Sequence, residues 1–258
     1  MEGSLYGREE AFVVSGMNKT CRTVRLGPDG READFLCFEA LPSTNLKLKE
    51  MLLSGEAERE TLVTAREQIA GRGRLGRSFF SPGGGLYMSF CLRERDAEAA
   101  AGYTPVAAAA VCLVLEEMTG KPFLIKWVND IYLNGKKVCG ILCERVKDWV
   151  ICGIGINLTE PAGGFPESAG NAGAAGVDAD RGELAKKILQ RMVSLLSMPE
   201  KAFEVYEKRM FLTGMKVFHN GEPLTVKGIG RDWRLLAERE NGETVALMSG
   251  EVTFHGQV

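Results

Sequence analysis

The chain has 258 residues, 45% of them hydrophobic and 26% charged, and its 32 basic and 34 acidic residues leave a net charge of −2. That describes a soluble globular protein with length for one large domain, or one domain with a small appendage, and the balanced charge excludes a global pull toward nucleic acid or an anionic membrane. Only two histidines occur, His219 and His255, both near the C-terminus, which argues against a Ser-His-Asp triad or a His-rich zinc site in the main body. Seven cysteines without a Cys-x-x-Cys pair read as reduced thiols of a cytoplasmic protein.

Residues 1–33 read as an N-terminal arm, extended or folded into a short hairpin. Its first ten residues carry charges and glycines without the apolar stretch of a signal peptide. Residues 34–213 read as the main domain. A strand is expected at 34–40, and Pro42-Ser43-Thr44-Asn45 starts an amphipathic helix with Leu46, Leu48, Met51, Leu52 and Leu53 at apolar positions. A short strand at 61–65 leads into a glycine- and arginine-rich loop. Residues 85–92 are strand-like, and 104–118 form an alanine-rich helix closed by Gly120. The longest apolar runs, such as 105–115, fall short of a membrane span. A strand at 123–128 precedes a hairpin whose arms, 131–133 and 137–145, flank Asn134-Gly135. Trp149–Ile156 pairs back. A Gly/Ala-rich loop at 159–176 reads as a lid or a disordered segment, followed by helices at 181–196 and 200–211. Residues 214–258 read as a small antiparallel β-barrel, with short strands separated by Asn220-Gly221, Asn241-Gly242 and Ser249-Gly250. At this size it needs the main domain for support.

The most informative stretch is Gly71-Arg72-Gly73-Arg74-Leu75-Gly76-Arg77. Glycine lets backbone come close to a ligand, and arginine offers a permanent planar cation that matches carboxylate and phosphate oxygens. The loop suits a small anion, although alone it also fits a solvated basic turn or a nucleic-acid patch. Four other segments carry polar chemistry: Ser43-Thr44-Asn45, Lys126-Trp127-Val128-Asn129-Asp130, Lys136-Lys137, and Gly153-Ile154-Gly155-Ile156-Asn157. Each also has a plain structural reading. Ser43 fits a helix N-cap, Asn129-Asp130 a hairpin start, Gly153-x-Gly155 a bulge or close strand packing, and the lysine pair a solvated edge.

In this order, the Ser-Thr-Asn, Gly-Arg-Gly-Arg-x-Gly-Arg, Lys-Trp-x-Asn-Asp, Lys-x-x-Gly-Ile-Leu and Gly-x-Gly-x-Asn-Leu motifs resemble the biotin–protein ligases, from about residue 34 to the C-terminus. The arginine/glycine loop separates that family from the related lipoate ligases. The resemblance implies an α+β fold, a mixed or antiparallel sheet with helices on one face, of the class II synthetase-like kind, plus a small SH3-like C-terminal barrel. It implies a two-step reaction. Biotin's carboxylate attacks the α-phosphate of Mg²⁺-bound ATP to give biotinyl-5′-adenylate and pyrophosphate, and a lysine of a biotin carboxyl carrier protein then displaces AMP.

The resemblance also assigns roles. Ser43, Thr44, Asn45 and Gln68 hold the biotin head group together with backbone at Gly153 and Gly155. Gly71, Arg72, Gly73 and Arg74 fold over the ligand, with Arg72 near the carboxylate and Arg74 and Arg77 near phosphate. Lys137 is the central cation, and Asp130 orients or deprotonates the incoming amine. Asn129 and Asn157 hold the nucleotide side, Asn129 as the candidate for contact with Mg²⁺, and Trp127 packs near adenine or in the core. Three positions depart from the family pattern. Val128 stands where proline is common, Phe165 is the only aromatic in 159–176, and His255 aligns near an expected arginine. About 33 residues precede the first core strand, too few for a DNA-binding winged helix, so no nucleic-acid partner is expected. Nor is a membrane partner, and the chain is read as a monomer or homodimer. The competing readings are a lipoate or octanoate enzyme of the same fold and a non-catalytic biotin or nucleotide sensor.

Overall fold

In the computed structural model residues 19–26, 30–248, 250 and 252–254 are described. The main layer is an eight-stranded sheet built from β1 (Lys19–Arg25), β2 (Glu32–Leu41), β3 (Thr61–Gln68), β4 (Leu86–Arg93), β5 (Leu124–Lys126), β6 (Asp130–Leu133), β7 (Lys136–Val146) and β8 (Trp149–Ile156). In space the strands run β1-β2-β3-β4-β8-β7-β6-β5. Every neighbouring pair is antiparallel except β2 and β3. A parallel pair needs a crossover, and α1 (Thr44–Ser54) supplies it. Asn134-Gly135 joins β6 to β7 with positive φ at both residues, as a two-residue hairpin turn demands.

Alternating side chains serve two cores. On one face Phe35, Leu62, Met88, Phe90 and Ile154 meet α3 (Tyr103–Thr119), α4 (Arg181–Leu196) and α5 (Pro199–Arg209). On the other, Leu36, Phe38, Val63 and Ile151 pack on Leu48, Met51 and Leu52 of α1. The expected single helical face therefore describes α3 to α5, while α1 covers part of the opposite face. The short α2 (Ala97–Ala101) leads into α3, where Ala107 to Ala110 are fully buried, so small side chains surround the helix where it crosses the core. By length and composition Ala99–Thr119 is apolar enough to cross a membrane, contrary to the expectation that every such run is too short. Since 67% of that window is buried, it serves here as a core helix.

The C-terminal residues form a second, five-stranded antiparallel sheet of β9 (Lys216–His219), β10 (Glu222–Ile229), β11 (Leu235–Glu238), β12 (Thr244–Leu247) and β13 (Val252–Thr253), in the order β12-β11-β10-β9-β13. Its apolar side is continuous with the main core through Val217, Leu224 and Val226. Trp127 donates its indole N–H to the Trp233 carbonyl at 3.0 Å, and Tyr132, Phe211 and Phe254 stack edge-to-face at the junction. Of the stretch read as an arm, residues 1–18 lie outside the described residues, while Lys19–Arg25 is the edge strand β1, paired from Lys19↔Phe38 to Arg25↔Glu32. Ser249, Glu251 and His255 also lie outside the described residues. The far end of the Gly/Ala-rich loop is laced to the sheet: Lys137 N–H donates to the Asn171 carbonyl, Gly173 N–H to that of Lys137 and Ala175 N–H to that of Asn157.

Candidate active site

The start of α1, the end of β3, the arginine loop, the β5–β6 turn, the middle of β7 and β8 and the edge of the small sheet converge on one cleft of about 130 Å³. Its floor is bare backbone, because Gly140 and Gly155 are direct cross-strand partners on β7 and β8. The space above them is occupied by neighbours. A Cβ at Gly153 would sit 2.0 Å from Asn45 Oδ1, and one at Gly155 would sit 2.5 Å from the Phe79 ring. The Gly153-x-Gly155 pattern is thus close packing of a specific kind, in which two side chains lie flat on strands that carry none.

One end of the cleft is uncharged. Ser43 has the extended backbone of an N-cap, yet its hydroxyl caps nothing; it is buried and lines the cleft. Gln68 Oε1 accepts from Thr44 N–H at 2.8 Å, and Gln68 Nε2 donates to Ser81 Oγ at 2.9 Å. Asn45 Nδ2 donates to the Leu142 carbonyl and to Glu144 Oε2 at 3.2 and 3.1 Å, and Ser89 Oγ lies 2.7 Å from Thr44 Oγ1 and 2.5 Å from Asn45 Oδ1. The result is a row of fixed amides and hydroxyls with no charged group among the residues that face a ligand. Such a row suits a neutral polar ring.

The other end is cationic. Arg72, Arg74, Arg77, Lys126 and Lys137 line it, against one carboxylate among the described residues, that of Asp130, in a chain whose net charge is −2. The loop is a tight hairpin: Gly73 N–H donates to the Arg77 carbonyl at 2.7 Å and Phe79 N–H to that of Gly71 at 2.8 Å. Leu75 and Gly76 turn it with φ of 56° and 75°. Arg74 reaches across, donating Nη1 to Asn129 Oδ1 at 2.8 Å and Nη2 to the Gly250 carbonyl at 3.3 Å. Asn129 is held from both sides, since its Nδ2 donates to the Ile141 carbonyl at 3.0 Å. Lys137 Nζ stands 2.7 Å from Asp130 Oδ1. The Tyr206 hydroxyl, pushed well above its ordinary range by burial, stays a neutral donor and braces the turn through the Val128 carbonyl at 3.2 Å.

Of the residues named from sequence, the cleft collects Ser43, Thr44, Asn45, Gln68, Arg72, Gly73, Arg74, Arg77, Trp127, Asn129, Asp130, Lys137, Gly153 and Gly155. Gly71 is not on the lining. It is buried beneath the loop, where a Cβ would meet the Phe79 carbonyl oxygen at 2.4 Å. Asn157 is likewise set back: its buried amide donates to the Gly173 carbonyl at 3.0 Å and ties down the loop end. Trp127 borders the cleft, but its indole is 3% exposed and its N–H is engaged with the Trp233 carbonyl, as a core tryptophan's would be. Three contributors escaped the sequence reading, Phe79 on the glycine floor, Ser81 and Ser89, while Lys126, named there only within its motif, lies above the Phe254 ring. Ser89 had a signal, as the one small polar residue in the run Leu86–Leu92.

A mixed sheet with a glycine floor, a neutral hydrogen-bonding end and a cationic end defines a class: a protein that binds a polar ring and an anion side by side. Residues 37–157 match the biotin/lipoate A/B protein ligase family. The bifunctional ligase/repressor BirA of Bacillus subtilis (strain 168) is 38% identical over 167 residues, covering 60% of this chain and 51% of that protein. The biotin–[acetyl-CoA-carboxylase] ligase of Mycobacterium tuberculosis is 29% identical over 81% of this chain and 85% of that protein. Among solved structures, the biotin protein ligase from Aquifex aeolicus in complex with biotin and ATP aligns over 86% of this chain and 98% of its own, with 31% identity and a TM-score of 0.72. The chain belongs to the biotin/lipoate A/B protein ligase family. It spans about half the length of the ligase/repressor relatives it matches.

Proposed function

We propose that this chain is an ATP-dependent biotin–protein ligase, which activates biotin as biotinyl-5′-adenylate and transfers it to a lysine of a biotin carboxyl carrier protein. The observation that carries the reading is the adjacency of two unlike ends in one cleft, amides and hydroxyls at one and five cationic side chains at the other. A ureido ring asks for the first, and a carboxylate meeting a triphosphate asks for the second.

The chemistry follows from charge. A carboxylate and an α-phosphate repel, so a cation between them lowers the barrier for attack by the carboxylate oxygen on phosphorus, with pyrophosphate leaving. Lys137 is our choice for that cation, since it projects between the glycine floor and the β5–β6 turn. Arg72 serves the carboxylate, while Arg74 and Arg77 serve the phosphates. Mg²⁺ enters with the nucleotide as counter-ion to its phosphates. Among the described residues no three His, Cys, Asp or Glu side chains cluster to cage a metal, and the Asn129 oxygen, the candidate for contact with it, accepts one bond from Arg74 and keeps a second lone pair. In the second step the carrier amine attacks the acyl carbon of the anhydride, AMP departs, and Asp130 takes the amine proton once Lys137 is drawn to the anion. No enzyme nucleophile is needed for either step.

The test is biotin-dependent exchange of labelled pyrophosphate into ATP, with lipoate and octanoate run in parallel. Exchange with biotin alone is the expected result. Exchange with lipoate instead would move the substrate, and none with any acid would leave a binding protein.

A further inference from the structure

Buried hydrogen-bond networks have a direction, and here the protein alone fixes it. Asn45 Nδ2 faces two acceptors, the Leu142 carbonyl and Glu144 Oε2, so the amide can stand only one way round and its Oδ1 must face Ser89. An amide oxygen only accepts. At 2.5 Å the Ser89 proton therefore lies on the bond to Asn45. Having spent its one proton, Ser89 Oγ receives at its other contact, so Thr44 Oγ1 donates to it across 2.7 Å. The alternative acceptor for the Thr44 proton, Gln68 Oε1, is farther at 3.2 Å and is already served by Thr44 N–H at 2.8 Å. Thr44 lines the cleft with lone pairs and no proton to offer.

We propose that Ser89, fully buried in β4, is a positioning residue that turns the Thr44 hydroxyl into an obligate acceptor and so makes the cleft select a ligand N–H at this point. Gln68 completes the pattern: its Oε1 is taken, and Nε2 gives one proton to Ser81 and keeps one for the ligand. An acceptor beside a donor is the complement of a ureido N–H beside its carbonyl. The inference rests on the biotin reading above and deepens it, because the specificity is set by a residue one step behind those that touch the ligand.

The test compares binding of biotin with binding of the two cyclic carbamate analogues in which one ring N–H or the other is replaced by oxygen. For the wild-type chain, one isomer is expected to bind on the order of a hundredfold more weakly than biotin, since two acceptors then face each other. In Ser89→Ala the Thr44 proton is released and the hydroxyl can rotate to donate, so the gap to that isomer is expected to shrink by about tenfold or more. Ser89→Cys, of similar shape with a weak donor, is expected to fall between, and keeps the test alive should the alanine variant not fold. A purely structural serine would weaken all three ligands together and leave the ratio unchanged; that result overturns the role of Ser89 while leaving biotin as the ligand. Failure of the wild-type chain to bind biotin at all overturns the functional reading and this inference with it.

Discussion

Lys137 Nζ lies 2.7 Å from Asp130 Oδ1 across the β6–β7 hairpin, and among the described residues that carboxylate oxygen has no hydrogen-bond partner beyond this ion pair. The two side chains are 33% and 18% exposed, so an anion entering the cleft can compete for the ammonium group. On the proposed mechanism, each partner holds the other until substrate arrives, after which Lys137 would turn to the anion and leave Asp130 as a base. Lys137→Met is expected to lower biotin-dependent pyrophosphate exchange by on the order of 10²–10³. Asp130→Asn is expected to spare exchange and slow only transfer to the carrier lysine. Assaying the two half-reactions separately checks this, and equal losses in both for Asp130→Asn would remove its role as proton acceptor.

The floor of the cleft predicts a coupling between two positions far apart in sequence. A methyl group at Gly155 would stand 2.5 Å from the Phe79 ring, which must then leave its place. Gly155→Ala is expected to weaken biotin binding about tenfold or more, as repacking around one inserted methyl typically costs about 1–3 kcal/mol. Phe79→Ala clears the obstacle, so in the double variant the cost of the alanine at 155 should largely vanish. A double-mutant cycle on biotin affinity measures this; simple additivity would show that Phe79 does not rest on the glycine.

Much of the molecule was legible because local rules and tertiary context agree. Asn134-Gly135 called its hairpin through the positive φ that both residues adopt, and Gly120 ended α3 in the left-handed conformation that glycine permits. The arginine loop, Ser43-Thr44-Asn45 and Lys137 announced themselves as polar groups with no apolar pattern to serve. What stayed hidden depends on distance in space. Ser89 sits in an apolar strand and finds its partners on α1, 44 and 45 positions back in the chain. Asn157 looked like a ligand contact in its motif, but its amide donates to the Gly173 carbonyl, and the Trp127 indole finds the Trp233 carbonyl, partners that spacing along the chain does not locate. Side-chain periodicity also does not say which sheet face a helix takes, so α1 on its own face emerged only with the alternate cores of β2 and β3.

Arg74 joins three parts of the molecule. Its guanidinium binds the Asn129 side chain on the β5–β6 turn and the Gly250 carbonyl beside the small sheet while rooted in the arginine loop. Lysine keeps the charge but has no fork to reach two acceptors that diverge. Arg74→Lys is therefore expected to raise the KM for ATP in the exchange reaction about tenfold, in line with loss of one charge-assisted hydrogen bond at about 1.5–3 kcal/mol. Steady-state exchange at varied ATP and saturating biotin checks it. An unchanged KM would mean that neither contact persists with nucleotide bound.

The buried thiols and phenols give the fold a defined response to alkali. Burial pushes the Cys91 thiol up to about 12, and it also raises the thiols of Cys112, Cys139 and Cys152 and the hydroxyls of Tyr87 and Tyr206. In the unfolded chain a cysteine releases its proton near about pH 8.5. Above that pH the unfolded state holds fewer protons than the folded state, so stability falls as pH rises, by at most about 1.4 kcal/mol per unit for each group. For Cys91 the window closes near pH 12, where the folded thiol ionises too. Below pH 8 both states are protonated at these groups, and their contribution is complete and flat. Urea unfolding midpoints at pH 7, 8, 9 and 10 and constant ionic strength are expected to be level over the first two points and to drop over the last two. A midpoint that held level to pH 10 would show that these thiols are solvated in the folded protein.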